Sequence, residues 1–341
     1  MDRRAALMLG LGGMGACLAS AAIGAEAAPL RVYWSTGQLG RSLKATFVDS
    51  FSGAGRVDIL EGGDNPRFTQ MQASRATPNF DVGTFTDIIM PLVVRSGLIA
   101  ELDGRAIPNL AAVDPGLRPW GAHAVPYAYG SWGIVYNAAR VAKPLTSWSD
   151  LLRSDLKGRV TAPNITYNSA IYTIDALARL KGGGLTDPEA GLEGMRQVRL
   201  SGPGLWEQES IAVGWLKTGE VLATPIYSGN ALALLDDPDV KDLRFVVPDE
   251  GGYIVPNNLV KLARCPNPDG ADRFIDHMLG EPAQSAWPSL GRSRPANARA
   301  VVLADVAAAT PPAGELRRVD VAWFAQNRTT FVQRWNAVVN R

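Results

Sequence analysis

Along this chain, segments with the hydrophobic period of a strand alternate with segments that have the period of a helix. Leu30–Trp34 has the two-residue period of a strand, and apolar side chains at helical spacing follow it as far as Phe51. Strands are predicted again at residues 57–60 and 80–82, and a helical pattern follows each of them. Three strands alternating with three helices predict a mostly parallel sheet with helices on both faces.

The longest extended stretch, residues 124–137, lies near the middle of the chain. Pro126 prevents a helix at its start, and the glycines that flank Ser131 and Trp132 permit another group to approach the backbone closely. Residues 250–258 predict a second extended stretch that runs back. A chain of 341 residues exceeds what one hydrophobic core usually supports, so we expect two lobes connected by these two stretches.

Further elements are predicted on both sides of the second stretch. They are a helix from residue 147, a strand at 158–162, a helix at 171–180, a helix at 210–217, a strand at 220–224 and a final helix at 319–339. Asp269 is predicted to cap a helix, and Thr86 or Asp87 to cap the helix after the third strand, because their oxygens accept from helix amides. The alternation in the first half therefore recurs in the second.

The first residues have the pattern of an export signal. Arg3 and Arg4 precede an apolar run, and small residues end it at Ala27. We predict a signal peptide over residues 1–27, cleaved near Ala27, and a mature protein in the periplasm. A membrane anchor is the alternative, although the run is short for a spanning helix. The route of export, and a lipidated form at Cys17, stay open.

Composition and motifs narrow the class of function. The net charge of +1 argues against nucleic acid or an anionic membrane as the main partner. Once Cys17 is removed, Cys265 is the single thiol, so no intramolecular disulfide is expected. The sequence contains no nucleophile elbow, zinc-protease motif or phosphate-binding loop, and we predict no enzyme, cofactor or metal. An exported bilobed hydrolase or transferase is kept as the alternative.

Six segments, in order, resemble the solute-binding proteins of ABC importers, in the branch of the spermidine/putrescine and ferric-iron binders. They are Leu30–Trp34, 81–99, Val125–Asn137, 147–160, 218–229 and 250–252. The resemblance implies a type II periplasmic binding fold, in which two doubly wound α/β lobes joined by paired hinge strands close on a ligand. It also implies an ABC permease and ATPase as partners, and a monomer suits this role.

The resemblance also divides the chain. Residues 28–124 and 254–298 are assigned to lobe 1, and residues 125–253 to lobe 2. Residues 299–341 are expected to form a helical segment that packs on lobe 2. A receptor that presents its ligand to a sensor has the same fold, so a sensory role remains a third hypothesis.

The expected ligand differs from that of the polyamine binders. Trp34 and Thr86 match the family's cleft residues, but its acids are replaced around Tyr167 and Asn257, and a tryptophan becomes Tyr227. Without those acids a dication would be poorly paired, and an unpaired buried charge is costly. We therefore expect a small polar solute, amino-acid-like, carboxylate or polyamine-like, with its amine near Asp87 or Glu209.

Ferric iron is the less favoured ligand, because the sequence has no adjacent tyrosine pair. Tyr127 and Tyr129 lie two residues apart, and His123 and His277 occur in unrelated contexts. The residues predicted to contact the ligand are aromatic, hydroxyl, amide and acidic side chains near strand ends. They are Trp34, Ser35, Thr36, Thr86, Asp87, Ser131, Trp132, Tyr167, Asn168, Tyr227 and Asn257.

Overall fold

The computed structural model describes residues 28–53, 55–238 and 240–341; the predicted signal peptide lies outside them. The strands are β1 (Leu30–Trp34), β2 (Val57–Glu61), β3 (Val82–Thr86), β4 (Val125–Asn137), β5 (Ala223–Tyr227), β6 (Leu243–Val246), β7 (Tyr253–Lys261) and β8 (Arg294–Pro295). The helices are α1 (Gly37–Leu43), α2 (Asp64–Ala73), α3 (Met90–Arg95), α4 (Ala170–Arg179), α5 (Glu189–Ser201), α6 (Glu209–Thr218), α7 (Ser228–Leu235), α8 (Pro268–Leu279), α9 (Glu281–Gly291), α10 (Ala304–Ala309) and α11 (Val321–Val338).

The strands form one mixed sheet in the order β2-β1-β3-β7-β4-β5, with β6 and β8 also paired to β4. The pairs β1–β2 and β1–β3 are parallel, whereas β3–β7, β4–β7 and β4–β5 are antiparallel. The parallel pairing predicted from the first three strands is confirmed for β1, β2 and β3, whereas the rest of the sheet is antiparallel. The physical reason is that β7 runs back between β3 and β4 and pairs with both.

The predicted strand at residues 158–162 is reduced to one parallel bridge, between Val160 and Ala223. Its backbone changes partner within three residues: the Thr161 amide donates to Ala223, whereas the Asn164 amide donates to Trp206. Pro163 lies between them and has no N–H to continue a ladder. No single neighbouring segment pairs with residues 158–162 along their whole length, so they do not form a strand.

Strand β4 takes part in more than one hydrophobic core. Its first residues, including Tyr127 and Tyr129, belong to a cluster with β1, β3 and α8. Trp132 and Tyr136 belong to a second cluster with α4, α5 and α11, and Val135 belongs to a smaller one with α6 and α7. The predicted lobe boundaries stay a prediction, but the apolar side chains do collect into separate cores that share β4.

Helix α11 buries aromatic side chains in the second core. Phe324, Phe331 and Trp335 are nearly or fully buried there, and the Phe324 and Phe331 rings meet edge to face at 5.3 Å. Each fully buried side chain of this size contributes on the order of 1.5–3 kcal/mol. Among the described residues, no helix is long and apolar enough to cross a membrane.

The caps predicted for two helices are wrong. Helix α8 is capped by Asn267, whose side-chain oxygen accepts from the Gly270 amide at 2.9 Å, so Asp269 lies inside the first turn. Helix α3 has Ile89 at its N-cap and no side-chain cap. Thr86 still belongs to β3 and its hydroxyl donates to Asp64. Helix α8 therefore begins before its predicted cap and α3 after its predicted caps, and in each helix a proline in the first turn favours the observed start.

Candidate ligand-binding cavity

A cavity of about 570 Å³ lies between the ends of β1, β2 and β3 and the start of α7. Ligand pockets of about 300–1,000 Å³ are typical for small molecules. The cavity is lined by polar side chains from segments that are far apart in sequence. Six of the predicted contact residues line it: Ser35, Thr36, Thr86, Tyr167, Tyr227 and Asn257.

Three predicted contacts are buried away from the cavity lining. Trp34 is fully buried in the first core. The Ser131 hydroxyl donates to the Ala309 carbonyl at 2.5 Å, and the Trp132 indole donates to the Thr173 hydroxyl at 3.0 Å. Successive strand residues face opposite sides of a sheet, and the sequence pattern did not show which side each of these would take.

Asp87 and Asn168 also lie outside the lining. Asp87 is buried, accepts from the Trp120 indole at 2.6 Å and lies 3.4 Å from the Asn258 amide nitrogen. Burial raises the pKa of Asp87, against the hydrogen bond from Trp120. Asn168 is half-buried and accepts from Arg328 at 3.4 Å. Both side chains have protein partners in this structure.

One side of the cavity, which we call the Asp64 wall, comprises Ser35, Thr36, Gly62, Gly63, Asp64 and Thr86. Asp64 begins α2 and accepts from Arg67 at 3.1 Å, from the Thr86 amide at 3.2 Å and from the Thr86 hydroxyl. A carboxylate at the first turn of a helix is also favoured by the helix dipole. Asp64 is thus held in place by several donors, one of them charged.

The buried side chain of Arg67 holds the Asp64 wall in place. It is fully buried, donates to the carbonyls of Gly62 and Thr84, and lies 5.3 Å and 5.2 Å from the ring centroids of Tyr33 and Phe85. Burial lowers the pKa of Arg67, and the attraction of Asp64 opposes this shift. One buried guanidinium therefore connects the loop before α2, the end of β3 and the cavity carboxylate.

The opposite side, which we call the Glu209 wall, comprises Tyr167, Ser169, Tyr227 and Asn230, with Glu209 behind them. Glu209 Oε2 accepts from the Tyr167 hydroxyl at 3.0 Å and from Asn230 Nδ2 at 2.7 Å. Burial raises the pKa of Glu209 to about 7, against these two hydrogen bonds and the nearby Tyr227 amide. The charge of this carboxylate is therefore sensitive to what occupies the cavity.

Tyr227 packs against β4 where glycine leaves room for it. A Cβ on Gly130 would lie 2.3 Å from Cε2 of the Tyr227 ring, which is far inside contact distance. Burial raises the pKa of Tyr227 to about 12, so its hydroxyl stays neutral near pH 7, 3.4 Å from Asn257 Nδ2. The close approach predicted for the glycines around Ser131 is confirmed, and the approaching group is Tyr227.

Sequence reasoning missed eight lining residues with polar or charged side chains, and four of them matter most for the charge of the cavity: Asp64, Lys217, Asn230 and Arg292. Lys217 pairs with Asp237 at 2.5 Å, and Arg292 pairs with Asp236 at 2.9 Å and with Asp305 at 2.5 Å. Asp64 could have been found, because it follows a strand and two glycines just as Ser35 follows β1. The other three lie on or after helices and carry no such signal.

The described residues contain no group of three or more His, Cys, Asp or Glu side chains that could hold a metal ion. Tyr127 packs edge to face on Phe47 and Trp287, with ring centroids 6.0 Å and 5.6 Å away, inside the first core. Cys265 is buried and unpaired, and burial raises the pKa of its thiol to about 11. Neither Tyr127 nor Cys265 lines the cavity.

The cavity is lined by residues beside the first and second hydrophobic cores, which share strand β4. The chain belongs to the bacterial extracellular solute-binding protein family, whose model matches residues 77–327. The family consists of binding proteins, and its description places them outside the cell. An ABC transporter substrate-binding protein from Bradyrhizobium japonicum has the same fold, with a TM-score of 0.77, 18% identity, and coverage of 91% of this chain and 99% of that one. The predicted type II periplasmic binding fold is confirmed.

Two curated relatives have names that refer to polyamines. The putrescine/agmatine-binding protein of Pseudomonas aeruginosa is 24% identical over 65% of this chain and 66% of its own length. The norspermidine sensor of Vibrio cholerae is 27% identical over 63% of this chain and 60% of its own length. The match therefore spans just under two thirds of each relative.

Proposed function

We propose that this chain is an extracytoplasmic solute-binding protein, which captures a small polar organic solute and delivers it to the permease and ATPase of an ABC transporter. The observation that carries the proposal is the cavity of about 570 Å³, whose lining combines residues beside the first core with residues beside the second. A ligand held by both sides would favour a closed arrangement of the lobes. Membership of the extracellular solute-binding family supports the same function.

The solute proposed is amino-acid-like, carboxylate or polyamine-like. The lining supplies two tyrosines, Tyr167 and Tyr227, together with hydroxyl, amide and carboxylate groups that can satisfy a charged polar molecule. The relatives named for putrescine, agmatine and norspermidine support an amine in the solute. The predicted contacts at Ser35, Thr36, Thr86 and Asn257 are kept as part of this proposal.

The proposal includes export to the periplasm after removal of residues 1–27, and a monomeric protein. The extracellular description of the family supports export. Sensing is the second candidate function, because one relative is named as a sensor. Loss of solute uptake in cells that lack the protein would distinguish import from sensing, in which uptake persists and a response is lost.

A thermal-shift screen tests the proposal. The mature protein is refolded to remove carried-over solute and mixed with polyamines, amino acids, small carboxylates, aminophosphonates, ferric citrate, thiamine and sugars. A solute at a hundred times its dissociation constant stabilises the fold by about 2.7 kcal/mol, which raises Tm by roughly 5–10 °C. Recovery of the solute unchanged supports binding. A solute that is consumed would favour the alternative enzyme, and no shift with any class would contradict the proposal.

A further inference from the structure

Hydrogen bonds within the Glu209 wall determine which polar groups remain for a solute. The Tyr167 hydroxyl donates to Glu209 Oε2 at 3.0 Å, and Asn230 Nδ2 donates to the same oxygen at 2.7 Å. A hydroxyl has one O–H, so the Tyr167 oxygen can then only accept a hydrogen bond from a molecule in the cavity. The carbonyl oxygen of Asn230 is likewise an acceptor. Tyr167 and Asn230 therefore present acceptors to the cavity.

One oxygen of the Glu209 carboxylate can still accept a hydrogen bond. Glu209 Oε1 is buried, and no donor among the described residues has good hydrogen-bond geometry to it, although the Tyr227 amide lies near the carboxylate. A buried carboxylate oxygen without a donor is costly, and a donor supplied by a solute would remove that cost. The strongest donor for such a group is a cation, because charge-assisted hydrogen bonds are about twice as strong as neutral ones.

The other acids of the cavity already have a cation. Asp64 is paired with Arg67 at 3.1 Å, and Asp237 with Lys217 at 2.5 Å. For Glu209, in the part of the chain that the structure describes, the donors are neutral: Tyr167, Asn230 and the nearby Tyr227 amide. A positive group in the solute is thus expected beside Glu209, whereas one beside Asp64 would also meet the buried charge of Arg67.

We propose that the Glu209 wall receives a single ammonium group, and that the solute carries an uncharged polar or anionic group, not a second ammonium, at its other end. In this proposal Glu209 determines specificity. It accepts the hydrogen bonds that Tyr167 and Asn230 donate, so that these groups can only accept from the solute, and it supplies the negative charge. The inference rests on the proposed function and deepens it. It predicts that this chain differs from a diamine binder in the number of positive charges on the solute that it accepts, and not in the size of the solute.

A series of four-carbon probes that differ only in their end groups tests this inference. The probes are 4-aminobutanoate, 4-amino-1-butanol, putrescine and 1,4-butanediol, titrated by calorimetry at pH 8. We expect the two monoamines to bind at least tenfold more tightly than putrescine and butanediol. Glu209→Gln should weaken the monoamines by about 10- to 100-fold, as expected for loss of a charged hydrogen-bond partner, and change butanediol binding little.

Glu207→Gln is the matched control, because Glu207 lies two residues earlier and is exposed. It should leave all four affinities unchanged. Equal loss for all probes in Glu209→Gln would indicate a structural role only and would overturn the inference. The inference would also be overturned if putrescine bound most tightly, if butanediol bound as tightly as the monoamines, or if no amine bound. If a non-amine in the broad screen then stabilises the protein, the binding function stands without this specificity.

Discussion

Asp64 and Glu209 are carboxylates beside the same cavity, yet the protein holds them in different ways. Asp64 begins α2, and its partners are the buried Arg67 and both donors of Thr86. Glu209 begins α6, and its hydrogen-bond donors are the neutral Tyr167 and Asn230. Helix position is therefore the same, and the difference lies in whether a resident cation neutralises the acid.

The comparison teaches that the surroundings of an acid decide its task. With Arg67 in place, the Asp64 wall is electrically balanced and firmly positioned, so it can define shape and offer hydroxyl and amide groups. Burial of Glu209 without a cation raises its pKa to about 7, so its negative charge is unfavourable until a positive partner arrives. One wall is organised in advance, and the other is completed by the solute.

The largest expected effect comes from removing the resident cation. Arg67→Met leaves Asp64 without its charged partner and leaves the Gly62 and Thr84 carbonyls without a donor. Breaking a buried ion pair on one side typically costs about 3–5 kcal/mol, and we expect a loss in that range in urea-induced unfolding. Arg75→Met, at an exposed position just beyond α2, should change stability little. Similar small losses in both variants would show that Arg67 does not anchor this wall.

The second effect sharpens the contrast through pH. The pKa of Glu209 is about 7 in the folded protein, against an ordinary value of 4.5, so the unfolded chain releases this proton at lower pH. The stability attributable to Glu209 therefore falls as pH rises from about 4.5 to 7 and stays reduced above. Glu209→Gln does not titrate, and should be more stable than the native protein at pH 8 by about 1–3 kcal/mol.

Unfolding in urea at pH 4.5 and pH 8, without added solute, measures this difference. The advantage of Glu209→Gln should nearly vanish at pH 4.5, where the native side chain is protonated in the folded state and half protonated in the unfolded one. Glu207→Gln should show no such dependence, because Glu207 is exposed. An advantage of the same size at both pH values would mean that charge at Glu209 is not its cause.

The smallest effect concerns the neutral donor on the Asp64 wall. Thr86→Val removes the hydroxyl bond to Asp64 but keeps the backbone amide bond of 3.2 Å to the same oxygen. We expect a loss of about 1 kcal/mol in the free energy of unfolding. Thr330→Val, on the exposed side of α11, serves as the control. A loss as large as that of Arg67→Met would show that the hydroxyl, not the cation, holds Asp64.

Much of the fold follows from local pattern. The prediction for β1 matches Leu30–Trp34, and the crossing stretch matches the 13 residues of β4. The helix predicted at residues 210–217 matches α6, which ends at Gly219, where a φ of +70° favours glycine. These features depend on residues close in sequence, and strand or helix periods report them directly.

Only part of the cavity lining could be predicted from the sequence. Residues that follow strands, such as Ser35 and Thr36, line the cavity because the ends of parallel strands meet at one edge of a sheet. Trp34 and Trp132 were misplaced, since aromatic character favours a cleft and a core equally. Their burial depends on which face of the sheet a neighbouring helix covers, and that information is not local.

The sequence alone predicted most of the strands and helices and the family, because these depend on hydrophobic period and on ordered segments. Tertiary structure decided which acid has a cation. Arg67 reaches Asp64 within one helix turn, but Glu209 meets Tyr167 from 42 residues away and Asn230 from 21. Charge and hydrogen bonding in the cavity depend on such distant meetings, and no local pattern records them.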